Sequence, residues 1–272
     1  ASQKRINEFL KHKPEIVNNS KETTKINGEI QFKNVSFTYD DTNITALKNV
    51  SFEIKKGETL AILGNTGSGK STIINLIARL YDIESGELLI DGKPIKNINL
   101  NDLRKQIGFV PQEAFLFSDT IKNNIKFGDV NANDEKIEKA AKDAFIHHNI
   151  IEFKNGYDTY VGERGVTLSG GQKQRVSIAR AIIKEPQILI FDDCLSAVDT
   201  ETEEVILNNL SEVSMGKTTI IVSHRISSIK NADKIIVIDT GKIIQQGSHN
   251  ELLIKEGYYK ELYEQQLLEK EI

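Results

Sequence analysis

Cysteine is almost absent from this 272-residue chain. Cys194 stands alone, which rules out an internal disulfide and fits a reducing compartment. By itself that residue reads as a small buried side chain rather than a reactive thiol. Long apolar runs are missing too. The longest are four residues, as in Ile188–Phe191, far below the ~20 that a membrane-crossing helix needs. Positive charge is not in excess: 35 Lys+Arg stand against 39 Asp+Glu, a net −4, which argues against a chain that wraps a nucleic-acid backbone. There is no internal repeat and no low-complexity tract. The only methionine is Met215 and the sequence opens at Ala1, so it reads as a processed or excised piece, and the missing membrane segment is a property of that piece. What is present, 39% hydrophobic and 27% charged residues, is the mix of a folded globular protein of one large or two modest domains.

The patterning divides the chain. Ile6, Phe9, Leu10 and Lys13 share a helix face that Pro14 ends. Asn18 to Lys25 is polar and reads as a linker. From Gly28 onward strand and helix patterns alternate. Glu29–Phe37 and Leu47–Ile54 carry the period-2 signal of half-buried strands. Thr59–Leu63, Gln187–Phe191, Thr218–Val222 and Lys234–Ile238 are short and apolar, as strands covered on both faces require. Helices are expected over Lys70–Tyr81, Asn133–Phe145, Gly171–Lys184, Thr200–Val213 and Tyr258–Leu268. The expected fold is α/β. A phosphate-loop core with a mostly parallel sheet carries an antiparallel β part near 28–57 and a helical insertion near 113–157, between a 1–27 linker and a 266–272 tail.

Leu60–Leu63 runs into Gly64, Asn65, Thr66, Gly67, Ser68, Gly69, Lys70, Ser71 and Thr72, and then into a helical run. This is G-x-x-x-x-G-K-[ST] in a strand–loop–helix setting. The glycines let successive N–H groups face one anion, and the helix start adds its partial positive charge. Lys70 is then placed for the β- and γ-phosphates of a nucleotide and Ser71 for Mg²⁺. Gln187–Asp192 is an apolar strand ending in a carboxylate, the position from which Asp192 would bind Mg²⁺ through water. Ser169, Gly170, Gly171 and Gln172 open a second helix whose start also suits an anion, about 100 residues further on. His147 and His148 have no Cys or carboxylate spacing to complete a metal site and read as structural.

Taken together, these motifs resemble the nucleotide-binding domain of ABC transporters of the exporter class, in order and spacing over residues 28–265. Leu168–Gln172 is similar to the family's LSGGQ signature, Gly64–Thr72 to its phosphate loop and Ile188–Asp192 to its magnesium-binding strand. The resemblance adds roles that spacing alone does not give. Tyr39 would stack on adenine, Gln112 would ligate Mg²⁺ and water, Asp199 in Ser196–Asp199 would belong to the D-loop, and His224 would be the switch histidine. Asp193 and His224 would handle the attacking water and the γ-phosphate. It implies ATP and Mg²⁺ as ligands, and head-to-tail pairing with a second such domain in which Ser169, Gly171 and Gln172 act in trans. It also implies a transmembrane domain of the same parent chain, a place on the cytoplasmic face of the cell membrane, and no nucleic-acid partner. Gly162–Gly165 looks like the exporter loop that touches the membrane part, and residues 1–13 resemble the segment leaving a last transmembrane helix.

Two residues depart from the family pattern. Hydrolysing members carry Glu where this chain has Asp193, one methylene shorter, and in-line attack is sensitive to ~1 Å. Asp there beside an intact signature resembles the slow-site subunit of heterodimeric exporters. Tyr160 stands where exporters often have Glu. The expectation is an ATP-hydrolysing export motor. The alternatives are an ATP-clamping regulatory subunit and a soluble ABC-type ATPase acting on DNA or ribosomes.

Overall fold

The computed structural model of the chain describes residues 2–11, 14–162, 166–194 and 200–270. Its strands are β1 (Ile30–Tyr39), β2 (Ile44–Ile54), β3 (Thr59–Leu63), β4 (Ser85–Ile90), β5 (Lys93–Pro94), β6 (Ile107–Val110), β7 (Asp119–Thr120), β8 (Tyr160–Val161), β9 (Ile188–Asp192), β10 (Thr218–Val222), β11 (Lys234–Asp239) and β12 (Lys242–Gly247). Its helices are α1 (Ser2–Lys11), α2 (Lys70–Ile77), α3 (Leu100–Lys105), α4 (Ile121–Lys126), α5 (Asp134–Asp143), α6 (His147–Glu152), α7 (Gly170–Ile182), α8 (Thr200–Val213), α9 (Ile226–Ile229), α10 (His249–Ile254) and α11 (Tyr258–Lys270).

Alternation builds the antiparallel sheet, ordered β2-β1-β4-β5. Its inward residues pair across strands, with Phe32 opposite Phe52 and the two rings stacked 4.4 Å apart. The second sheet runs β12-β11-β3-β10-β9-β6 and is parallel except for the edge pair β11–β12. Its central strands are apolar on both faces because each face is covered. Leu60, Ile62, Ile190, Ile220 and Ile236 point into one core with α2 and the antiparallel sheet. Leu189 and Phe191 meet the helical part around α4, α5 and α7, whereas Ala61, Leu63, Ile235 and Val237 meet α10 and α11. Each of these Leu, Ile, Val and Phe side chains removed from water contributes about 1.5–3 kcal/mol.

This is the expected α/β class with mostly parallel, antiparallel and helical parts. Several details differ from the sequence expectation. The antiparallel sheet reaches beyond 28–57 and takes in β4, whose residues are exposed in its first half and buried in its second, so it never alternates. The helix expected over Lys70–Tyr81 stops at Ile77, because Arg79 takes a left-handed φ of 48° and its Nε turns back to Asp82 at 3.1 Å. The polar run from Asn18 to Lys25 is pinned rather than loose. Asn99 donates to the Ser20 carbonyl at 2.9 Å, Asp102 accepts from the Thr24 amide at 2.8 Å, and the buried Arg79 reaches the Val17 carbonyl at 3.3 Å. Lys13 lies outside the described residues.

A single hydroxyl joins the two sheets. Thr218 Oγ1 is fully buried, donates to the Gly28 carbonyl at 2.7 Å and accepts from the Gly57 amide at 3.2 Å. Thr218→Val leaves both main-chain groups unpaired. It is expected to lower stability by about 1–3 kcal/mol and Tm by about 3–8 °C, with Thr218→Ser recovering most of the loss in the same thermal melt.

Candidate functional site

Parallel register delivers the site. Ile62 of β3, Val222 of β10 and Asp192 of β9 lie in one row, and Val110 of β6 pairs with Phe191. The chain therefore leaves β3, β10, β9 and β6 at the same sheet edge. The loop from Gly64, the turn Ser223–His224, the pair Asp192–Asp193 and the segment Pro111–Gln112 all start there. Carboxyl ends of parallel strands are where α/β sheets bind ligands.

The loop from Gly64 to Gly69 has the shape its glycines permit. Gly64, Gly67 and Gly69 have φ of 151°, 80° and 112°. A Cβ on Gly64 would lie 2.1 Å from the Ile238 carbonyl oxygen and one on Gly69 2.6 Å from that of Ala46, whereas the space over Gly67 is open. Gly69 caps α2 without a side chain, so the first-turn amides of Lys70, Ser71 and Thr72 are left to an external acceptor. Asn65, Thr66 and Gly67 form the exposed rim, and Ser71 is exposed at the helix start. Ser68 Oγ is buried without a hydrogen-bond partner. Lys70 is 7% exposed, and its ammonium donates to the carbonyls of Gly64 at 2.7 Å and Asn65 at 2.8 Å.

The charges converge. Burial lowers the Lys70 pKa against the pull of Asp193 and Asp192. Burial raises that of Asp192, with the Asp193 charge adding to it and Lys70 opposing. Burial also raises the Asp193 carboxyl, opposed by His224, by the His224 main-chain N–H, by Lys70 and by Arg225. Asp193 has a left-handed φ of 43°, held by its own amide donating to the Val222 carbonyl at 2.9 Å. The exposed Gln112 amide stands 3.4 Å from Asp193 Oδ2, and Gln174 donates to the Gln112 carbonyl. Tyr39 Oη and Thr72 Oγ1 are 3.0 Å apart, and the Tyr39 ring packs edge-on against Phe37 and Tyr81. Two adjacent half-buried carboxylates beside one ammonium, with the Ser71 hydroxyl at the loop's end and the Gln112 side chain against Asp193, offer oxygen donors of the kind hard divalent cations take.

The family profile described as ABC transporter matches residues 47–196. The chain belongs to the ABC transporter family. ATP-binding cassette sub-family B member 6 of Xenopus tropicalis is 48% identical over 239 residues, covering 88% of this chain and 28% of that protein. A putative multidrug export ATP-binding/permease protein of Staphylococcus aureus (strain NCTC 8325 / PS 47) is 51% identical over 236 residues, covering 87% and 41%. The solved structure of a bacterial Atm1-family ABC exporter with ATP bound superposes with a TM-score of 0.92 at 41% identity, over 97% of this chain and 46% of that one. The chain thus spans less than half the length of each of these ABC proteins.

Within this ABC domain not every expected residue lies at the strand edge. Ser169 caps α7 through its side chain, and Gln172 returns the bond to the Ser169 amide at 3.0 Å. Gly170 and Gly171 form the first turn of that helix. Yet α7 packs into the helical core and α2 into the sheet core, and among the described residues no hydrogen bond joins the two helix starts. Asp199, with Ser196–Val198, lies outside the described residues, as do Glu163–Gly165. His147 Nδ1 is 2.8 Å from the Tyr157 hydroxyl, a packing role. Sequence reading missed three residues that touch these loops. Gln174 could have been found as a polar residue on the apolar face of α7, 4% exposed. Tyr258 and Gln266, which reach the loops from α11, carry no local signal.

Gly64→Ala drives a methyl against main chain and should abolish the nucleotide signal in titration calorimetry while lowering Tm by several degrees. Gly67→Ala meets open space, so it should cost only the ~1–2 kcal/mol of its left-handed φ.

Proposed function

We propose that the chain binds ATP with Mg²⁺ at Gly64–Thr72, hydrolyses it, and serves as the motor domain of an exporter. The observation that carries this reading is the Lys70 ammonium held in a glycine loop against Asp192 and Asp193 at one sheet edge. Main-chain amides from Ser68 to Thr72 would cradle the β- and γ-phosphates, and Lys70 would turn from its two carbonyls toward them. Ser71, Gln112 and Asp192 would hold Mg²⁺, which supplies charge neutralisation on the phosphate oxygens. Asp193 would orient the attacking water, with Gln112 beside it, and His224 would donate to the γ-phosphate. Tyr39, in its aromatic cluster, would offer a face to adenine.

The separation of the Ser169–Gln172 helix start from the phosphate loop favours completion of each site by a second such domain, the signature acting in trans. Two surfaces favour a membrane partner. Ile6, Phe9 and Leu10 of α1 are all exposed on one side, and Phe115, Phe117 and Phe127 form an exposed ledge around Arg180, whose guanidinium carbon is 5.5 Å from the Phe117 ring centre. Among the described residues no helix is long and apolar enough to cross a membrane. The membrane-embedded part would therefore lie elsewhere in the parent chain, and this domain would work on the cytoplasmic face of the cell membrane. The names of two relatives, a multidrug export permease and an Atm1-family exporter, support export.

A second reading rests on Asp193: a subunit that clamps ATP and turns it over slowly. Its short side chain reaches less far than Glu, and aspartate tolerates a left-handed φ better than most residues. In a steady-state phosphate-release assay on the assembled protein, Lys70→Ala should abolish turnover and nucleotide binding together. Asp193→Glu should raise kcat tenfold or more, about 1.4 kcal/mol in barrier, if the short carboxylate limits the rate; an unchanged kcat counts against the slow-site reading. His224→Ala should reduce kcat with little change in ATP affinity, which separates its part from that of Lys70.

A further inference from the structure

Helix α11 touches both walls of the proposed ATP site. Its start is fixed by Tyr259, fully buried, whose amide donates to Gln245 Oε1 at 2.9 Å and whose hydroxyl lies 2.7 Å from His249 Nδ1. The neighbouring Tyr258 hydroxyl donates to Asn65 Oδ1 in the glycine loop at 2.9 Å. About two turns further along, ~12 Å at the helical rise, Gln266 meets the turn after β10. Its Nε2 donates to the His224 carbonyl at 2.7 Å and its Oε1 accepts from the Ile226 amide at 2.9 Å. On the inner side, Ser223 Oγ accepts from the Arg225 amide at 3.0 Å.

We propose that Gln266 is a positioning residue: its amide clamps the main chain on both sides of Arg225 and, with Tyr258 on Asn65, α11 sets where His224 stands relative to the phosphate loop. Capping α9 would need only the acceptor oxygen, since the orphan groups at a helix start, the Ile226 N–H among them, are all donors. The bond donated to the His224 carbonyl has no part in capping. It fixes the plane of the peptide that follows the exposed imidazole, while the His224 N–H on the other side is held at the Asp193 carboxyl. One amide making two bonds of opposite sense to residues two apart tolerates only one local backbone path. The inference rests on the reading above in which His224 serves the γ-phosphate.

The test uses side chains that keep the helix. Met, Glu and Gln have similar helix propensities, so Gln266→Met deletes both bonds and Gln266→Glu keeps the acceptor without the donor. In the assembled protein, Gln266→Met should lower kcat about tenfold with KM for ATP changed less than about twofold, and Gln266→Glu should fall between the two. The histidine ring-proton NMR resonance that disappears in His224→Ala should shift or broaden in Gln266→Met, with Tm nearly unchanged. A wild-type kcat and an unmoved resonance in Gln266→Met overturn the proposal, as does a loss that tracks Tm and KM in parallel. If His224→Ala is slow while Gln266→Met is not, positioning alone fails. If His224→Ala keeps the full rate, the histidine's role fails first and the clamp's purpose with it.

Discussion

A lysine ammonium stripped of most of its water must find acceptors, and the rest of this site follows from where Lys70 finds them. Its near-complete burial is tolerable because two loop carbonyls accept from it at 2.7 and 2.8 Å and two carboxylates face it. Those carbonyls can turn inward only on a backbone that visits left-handed φ at Gly64, Gly67 and Gly69. The carboxylates are there because parallel register sets Asp192 level with Ile62 across β10. Removing either support would leave a charge buried without compensation, which is far more costly than never burying it.

The same economy explains the neighbouring strain. Asp193 turns left-handed immediately after β9, while its amide still makes the last rung of the β9–β10 ladder by donating to the Val222 carbonyl. That turn moves its carboxyl away from the line of the strand and toward Gln112, Lys70 and the His224 amide. Adjacent acidic residues are thereby given different surroundings. Asp192 is perturbed by burial and by its neighbour's charge, while Asp193 is perturbed by burial against several positive partners.

Elements far from the site in sequence hold its loops. The buried Arg79, just beyond α2, binds the incoming segment at Val17, so the helix that begins at Lys70 is tied at its other end to the chain that precedes the sheets. Thr218 bonds Gly28 and Gly57 and locks the antiparallel sheet to the parallel one at the opposite end of β10 from His224. The glycine loop, the turn at His224 and the entry segment therefore share one packed frame, in which side chains cannot shift independently.

Much of this was legible in the residues. Four short apolar runs named central strands of the parallel sheet, because strands covered on both faces must be apolar throughout. The shape of the glycine-lysine loop was legible too, because few residue types reach the left-handed φ found at Gly64, Gly67 and Gly69. Where no periodicity existed the reading failed. Strand β4 is half exposed and half buried, and β12 is an edge strand of mixed character. The run from Asn18 to Lys25 is polar because most of its side chains face water, and the bonds that pin it run largely to its main chain, so composition alone gave it the look of a linker. By itself the sequence determined the local devices: the glycine loop with its lysine, the helix start capped by Ser169 and the carboxylate at a strand end. Only the tertiary structure decided which of them meet. Register placed Asp192, His224 and Gln112 at one edge with Lys70, packing set the Ser169–Gln172 helix start apart on the helical part, and it brought Tyr258 and Gln266 from the last helix onto the loops, since contacts between residues so distant in the chain leave no pattern in their neighbours.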